Sequence, residues 1–393
     1  MKIAVIAHLK FPIAEPFAGG LEMLTHALVK GLAERGHQMD LFACEGSDRM
    51  LNVQRVNMWE VDCSKTKNIP PDHPDFNEAF VHQHHAYMDM LLRIQTGDYD
   101  LVHNNSLHYL PTTMARMLPM PMVTTLHTPP FPFIQSAAMG SAAYGNNSFV
   151  AVSNHTGTVW KSATGGSATI YNGVDTDFWA FEPEPQTRQA VWFGRICAEK
   201  GTHLAMQAAK KAGIFLAFAG PVSNEPYFEK EVKPLMDEEH NQYLGHLTQL
   251  EMRAYMQQAG VFLFTSMWEE PFGLVLAEAL SCGTPVAAFR SGASPEIIDA
   301  TCGRIVEKGD VNELATALQS CMDLNRMDCR QRAVKHFSIE RMIDDYEAYF
   351  QQILKEQEEK RLQARRPQFL DYGVKRSFTT HNPSRMIFSP ETR

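Results

Sequence analysis

A chain of 393 residues exceeds what one ordinary core holds and implies two or three domains. With 44% hydrophobic and 21% charged residues it reads as a soluble globular protein, and a net charge of -9 argues against the basic face that nucleic acid requires. The charge is uneven: residues 101–170 hold Arg116 and Lys161 and no acidic residue, which suits buried strands with short loops, a neutral acceptor or a second domain. Seven scattered cysteines without a C-x-x-C pair read as reduced thiols and argue against a zinc site. The opening MKIAVIAHLKF is too short for a signal peptide and is interrupted by His8 and Lys10; no later run is long enough to span a bilayer. A cytoplasmic protein is expected, with room for a peripheral contact at the inner membrane face.

In chain order, Ile3 to Ala7 is a near-continuous apolar strand of the doubly buried kind. A Pro-rich loop leads to Gly19-Gly20 and a helix from Leu21 to Arg35, stopped at Gly36. The G-G-x-E run is not the G-x-G-x-x-G fingerprint, which excludes a nicotinamide cofactor; a glycine pair at a helix start either lets backbone approach a phosphate or simply makes a tight turn. Met39 to Ala43 reads as a strand, and Asp75 to Ile94 as a helix on which His82 and His85 share a face without a third metal ligand. Asp98-Tyr99-Asp100 and Asp175-Thr176-Asp177 both fit a D-x-D metal pattern; the first sits where the Leu101 to His103 strand begins and reads as its entry turn. Met122 to Leu126 is a strand opening into His127-Thr128-Pro129-Pro130, and strand ends are where doubly wound sheets bind ligands. Phe149 to Val152 continues the pattern.

Asn172-Gly173 reads as a positive-φ hinge turn, and the FEPEPQTR stretch as a linker. A second series of strands and helices starts at Val191 to Phe193, whose loop carries Arg195 and Lys200, two cations able to converge on a diphosphate. Phe215 to Gly220 is a further strand. Val261 to Phe264 then reads as a buried strand, Trp268 to Gly273 as a turn, and Leu274 to Cys282 as a helix. The free amides near Gly273 and Leu274 suit a phosphate, because unpaired donors and the helix dipole both favour negative charge. Glu270 precedes this helix and Glu278 lies about two turns along it, so the two carboxylates reach different parts of one elongated ligand. Glu269 is one residue out of that spacing and reads as a solvated neighbour.

The segment EPFGLVLAEALSCGTPV, with Glu270 and Glu278 seven residues apart around PFG and an EA-x4-G-x-PV continuation, resembles the E-x7-E signature of the retaining glycosyltransferases of family 4. Further matches are TLHTP, ATIYNGVD, the Gly194, Arg195, Glu199, Lys200, Gly201 set, YLGHL as a short strand before a base-contacting loop, and HFSIERMIDDYEAYFQQIL as a helix crossing back to the first domain. The loop at Gly220-Pro221 carries less glycine than the family pattern, which speaks against nucleotide contacts there.

The resemblance covers about residues 1–355 and implies an α/β GT-B fold, two Rossmann-like doubly wound domains facing across a cleft. The implied division is an acceptor domain over 1–173, a hinge over 174–188, a nucleotide-sugar domain over 189–337 and a crossing helix over 338–357; the remaining 358–393, with scattered Pro and no sustained periodicity, reads by composition as a disordered tail. The resemblance also implies site roles: Arg195 and Lys200 on the diphosphate with Gly194, Gly273 and Leu274, Glu270 on sugar hydroxyls, Glu278 on the ribose, Leu247 by the base, His127 by the sugar, and Gly19 and Gly20 near the diphosphate and acceptor. The donor would be a UDP- or GDP-sugar and the acceptor a carbohydrate, lipid or small molecule, with no metal and no cofactor. A nucleotide-sugar epimerase of the same fold and a catalytically silent nucleotide-sugar-binding protein are the alternative readings.

Overall fold

Two parallel sheets organise the computed structural model, which describes residues 1–57 and 78–365. The first is built from β1 (Lys2–Ile6), α1 (Gly20–Glu34), β2 (Gln38–Ala43), β3 (Val53–Arg55), α2 (Glu78–Gln95), β4 (Leu101–Asn104), α3 (Tyr109–Met114), β5 (Met122–Leu126), α4 (Pro132–Ala142), β6 (Asn147–Ala151), α5 (Asn154–Thr164) and β7 (Ala168–Thr169). The second is built from β8 (Ala190–Phe193), α6 (Thr202–Ala212), β9 (Leu216–Ala219), the one-turn α7 (Glu225–Tyr227), β10 (Asn241–Tyr243), α8 (Gln249–Gln258), β11 (Val261–Phe264), α9 (Leu274–Ser281), β12 (Val286–Phe289), α10 (Ser294–Ile297), β13 (Gly303–Val306), α11 (Val311–Cys321) and α12 (Arg326–Phe337). The long α13 (Ile339–Arg365) follows.

The strand orders are β3-β2-β1-β4-β5-β6-β7 and β10-β9-β8-β11-β12-β13. All pairings between these strands are parallel. Helices therefore cover both faces, which is why β8 and β11, and β1 after Lys2, read as unbroken apolar runs rather than alternating ones. Each strand order reverses once, between β1 and β4 and between β8 and β11. Crevices beyond the carboxyl ends of strands at such reversals are where open α/β sheets take ligands.

The start of α13 packs on the first sheet's helices. Met342, Tyr346, Phe350 and Ile353 recur at three- and four-residue spacing and join the core of Ile3, Val5, Leu28 and Leu32. Burial of each such side chain contributes about 1.5–3 kcal/mol. A Cβ on Gly31 would stand 2.2 Å from Ile343 Cδ1, so the small residue sets how closely α1 and α13 approach.

Several expectations are corrected. The closing helical stretch is two helices, because Ser338 is extended between α12 and α13. Helix also continues to Arg365, past the expected end at 357 and into the expected disordered tail. The run KEQEEKRLQAR is rich in strong helix formers, which outweighs its lack of an apolar stripe. Residues 366–393 and the expected helix start at 75–77 lie outside the described residues. Gly173 does not adopt positive φ. It is small because a Cβ would meet Ile339 Cα at 2.6 Å and Ser338 O at 2.7 Å. The linker after it is tied down: buried Arg326 donates to the Glu182 carbonyl, and Arg330 to those of Thr176 and Trp179.

Candidate active site

Four short stretches at the β8/β11 reversal build one wall of a cleft. Trp192 at the end of β8 donates from Nε1 to Thr265 Oγ1 at 2.9 Å, and Thr265 Oγ1 donates to the Lys200 carbonyl at 3.0 Å. The Met267 and Trp268 amides both donate to the Glu199 carbonyl. The loop carrying Lys200 is thereby stitched to the turn carrying Glu270. Lys200 Nζ pairs with Glu270 Oε1, which also accepts from Ser266 Oγ at 3.1 Å. Arg195 Nη2 meets Glu199 Oε1 at 2.7 Å in a more exposed setting. Gly201 closes the loop at φ +66, and a Cβ there would lie 2.4 Å from the Thr265 carbonyl. Gly201→Ala is therefore expected to lower stability by about 1–3 kcal/mol and to displace Lys200. Thermal denaturation checks it, and a variant that melts with the wild type would show that the loop yields freely.

The turn ends at Gly273, in the left-handed region at φ +91, where α9 begins. No side chain caps α9 and no acidic residue occupies its first turn, so its N-terminal donors remain for a ligand. Glu278 is buried on this wall, as Glu270 is, at 7% and 8% exposed. Burial pushes its pKa up to about 8.

The opposite wall comes from the first sheet. α1 begins at Gly19 and Gly20, also without a side-chain cap. A Cβ on Gly20 would stand 2.5 Å from Leu274 Cδ1, so the glycine lets the N-termini of α1 and α9 face each other closely. His127, just past β5, bonds through Nε2 to Asn105 Oδ1. Asn105 Nδ2 in turn donates to Thr25 Oγ1 at 2.9 Å, whose own proton goes to the Leu21 carbonyl at 2.8 Å. That order of donors makes Asn105 Oδ1 an acceptor and places the imidazole proton on Nε2. Burial lowers the His127 pKa to about 4, so the ring is neutral at pH 7.

The two walls are clamped beside the Glu270 turn. Ser153 Oγ and Thr156 Oγ1, at the start of α5, donate to the Pro271 carbonyl at 2.6 and 3.1 Å. Glu296 reaches back from α10 to accept from the Asn154 and His155 amides at 2.8 and 2.7 Å and from Tyr171 Oη at 2.9 Å. The residue after Glu270 is thus held from the first domain.

His127, Arg195, Lys200, Glu270, Gly19, Gly20, Gly194, Leu247, Gly273, Leu274 and Glu278 all line one cavity of about 640 Å³ between these walls. Gly220 and Pro221 line it too, against expectation, because Gly220 at φ +143 turns the β9 loop tightly over Gly194: a Cβ would fall 1.8 Å from the Gly194 carbonyl. YLGHL is not a strand; β10 ends at Tyr243 and the rest is itself the loop, with Gly245 at φ +74 accepting from the Gly220 amide. Glu269 is anchored rather than merely solvated, through Lys308 and the Gly292 amide. Trp192, Thr265, Ser266, Asn105 and Ser153 were not singled out from sequence, and no local motif marks them.

The D-x-D runs are structural. Asp100 accepts from the Lys2 amide at 2.7 Å beside β1, and Asp175 from the Asp177 and Phe178 amides in a turn. On α2, His84 Nδ1 bonds Tyr109 Oη. Among the described residues, the one cluster spaced for a metal is Asp237, Glu239 and His240, at the entry to β10 and apart from this cavity.

Paired parallel α/β domains, with the cleft between them carrying cations, carboxylates and bare helix N-termini, define the GT-B class of fold. The family models agree: "Glycosyltransferase Family 4" matches residues 18–178 and "Glycosyl transferases group 1" matches residues 174–336. The chain belongs to this glycosyltransferase family. It is 29% identical over 163 residues to a glycogen synthase of Mycobacterium tuberculosis, covering 39% of each chain. It is 24% identical over 377 residues to the D-inositol 3-phosphate glycosyltransferase of Pseudarthrobacter chlorophenolicus, covering 82% of this chain and 87% of that one. The match thus spans about two fifths of the first of these relatives. Anabaena HepE in complex with UDP has a similar fold, with TM-score 0.70 and 18% identity, covering 90% of this chain and 100% of that one. Among the described residues, no helix is long and apolar enough to cross a membrane.

Proposed function

We propose that the protein transfers a sugar from a nucleoside diphosphate sugar, UDP- or GDP-linked, to a hydroxyl acceptor with retention of anomeric configuration and without a metal. The single observation that carries this reading is the convergence of Lys200, Arg195 and the uncapped N-terminus of α9 on one cavity that also holds Glu270 and Glu278. The hard step is departure of a diphosphate. Fixed cations and backbone donors placed where that charge develops stabilise it without reorganisation, which is why no metal is called for.

In this reading the diphosphate lies against α9 and Lys200, the ribose diol donates to Glu278, and sugar hydroxyls donate to Glu270. His127, held neutral with its proton on Nε2, leaves Nδ1 as an acceptor for a hydroxyl of the transferred sugar. The acceptor oxygen bonds to the anomeric carbon on the face the phosphate oxygen leaves. The acceptor's proton passes to the departing diphosphate, which keeps the configuration and needs no protein nucleophile.

A screen of UDP-, GDP- and ADP-sugars by thermal stabilisation and donor consumption, with and without EDTA, tests the reading. One nucleotide class is expected to raise the melting temperature by several degrees through mass action, and its sugar to be consumed with EDTA present. Stabilisation by none of them would end the assignment, and loss of turnover with EDTA would end its metal-independent part.

A further inference from the structure

Glu270 belongs to a turn of the second domain, yet its backbone is gripped from both domains. On its own side the Glu270 carbonyl accepts from the Ala293 amide at 2.9 Å, and a Cβ on Gly292 would lie 2.1 Å from that same oxygen. The next residue is Pro271, whose ring fixes its own φ and favours extended backbone at the residue before it. Holding the Pro271 carbonyl therefore constrains the direction in which the Glu270 side chain leaves the turn. That carbonyl is met by two hydroxyls of the first domain, Ser153 Oγ at 2.6 Å and Thr156 Oγ1 at 3.1 Å, and both residues are buried.

The N-terminus of α5, which carries these hydroxyls, is in turn registered by the second domain. Its first amides are all taken. Glu296 of α10 accepts from the Asn154 amide at Oε2 and from the His155 amide at Oε1, and Ser153 Oγ accepts from the Thr156 amide at 3.0 Å. A carboxylate there meets unpaired donors and the positive end of the helix dipole together, so the contact is charge-assisted and directional. Tyr171 Oη donates to the same carboxylate, and Arg332 of α12 donates to the Glu296 carbonyl at 2.8 Å. One line of contacts thus runs from Glu296 to α5, from α5 to Pro271, and from there to Glu270. Lys200, the first amides of α9 and Glu278 stand outside it.

We propose that Ser153, Thr156 and Glu296 are positioning residues for sugar transfer: through Pro271 they aim Glu270 at the hydroxyls of the donor's sugar, so that one group of bonds sets both the contact between the domains and the placement of that carboxylate. The assignment rests on the glycosyltransferase reading above and names the residues through which the first domain acts on the donor half of the site.

The test uses the full chain with the nucleotide sugar found in the screen above and the matching sugar-free nucleoside diphosphate. Glu296→Gln removes the charge and offers the two α5 amides a single oxygen. Thr156→Val removes one hydroxyl at nearly constant shape, and Ser153→Ala removes the other. Glu296→Gln and the Ser153→Ala, Thr156→Val double variant are each expected to lower kcat by about tenfold or more, because a small displacement of a group that holds the reacting sugar is felt strongly. Nucleoside diphosphate affinity by calorimetry is expected to stay within about threefold, since the groups that would bind it lie outside the line of contacts. Thr156→Ser keeps its hydroxyl and is expected to recover the rate. Normal kcat in both altered proteins overturns the assignment. So does a fall in nucleoside diphosphate affinity equal to the fall in kcat, or a loss in Thr156→Ser equal to that of the double variant, because general loosening of the fold gives those results. Melting curves identify a variant that fails to fold, and the folded one then decides. If the wild type neither binds a nucleotide nor consumes a donor, the glycosyltransferase reading fails first and these roles with it.

Discussion

Lys200→Ala is expected to lower turnover by a hundredfold or more at saturating donor, a loss of about 2.7 kcal/mol of transition-state stabilisation. The ammonium is held by Glu270, by the loop stitching through Thr265, and by the Glu199 carbonyl's two bonds to the following turn. In the proposed reaction it is therefore preorganised where the leaving diphosphate gains charge. Glu270→Ala is expected to cost a similar factor by removing the grip on the sugar. Either single change also strands a partly buried charge, since Glu270 is only 8% exposed. The double variant separates the two effects: removing both members is expected to recover melting temperature relative to either single variant and to recover no rate. Near-normal turnover in both single variants would remove the site.

Glu278→Gln is expected to make the protein more stable at alkaline pH and worse at holding its donor. Burial lifts the folded carboxyl from its ordinary 4.5 to about 8, so the folded chain keeps a proton that the unfolded chain has already released. Stability from that retained proton is fully present below about pH 4.5 and is lost as pH rises toward 8. The amide has no proton to lose. The variant should match the wild type near the lower limit and exceed it near the upper one, by on the order of a few kcal/mol. Above about pH 8, where the wild-type carboxyl is ionised, donor affinity should fall about tenfold, because an amide offers a diol one acceptor oxygen and a carboxylate two. Melting curves at the two pH extremes and calorimetry with the nucleotide check both halves. A stability difference that does not grow with pH would show that Glu278 is ionised in the folded protein, and unchanged affinity would remove its ribose role.

Glu278 also shows where functional sites depart from stable design. A carboxylate left 7% exposed on a short helix of otherwise apolar residues costs stability. In the proposed function that cost is offset by a ligand diol, which meets the carboxyl in the cleft.

The strands β1, β2, β4, β5, β6, β8, β9 and β11, the Gly273 turn, the two-turn separation of Glu270 and Glu278, and the Arg195 to Gly201 loop were readable from sequence. Each depends on interactions within a few residues, where spacing and turn chemistry dictate geometry. The β10 loop, the Gly173 contact and the extension of α13 were misread. A loop and a strand of five residues share one pattern, a glycine needed for close approach looks like one needed for positive φ, and charged helix formers resemble a solvated tail. Only the tertiary structure decided that Gly20 yields to Leu274 and that Ser153 and Thr156 hold Pro271 from the other domain. Those relations join residues from 115 to 254 positions apart. They exist because two sheets pack against each other, and no local pattern records which surfaces that packing brings together.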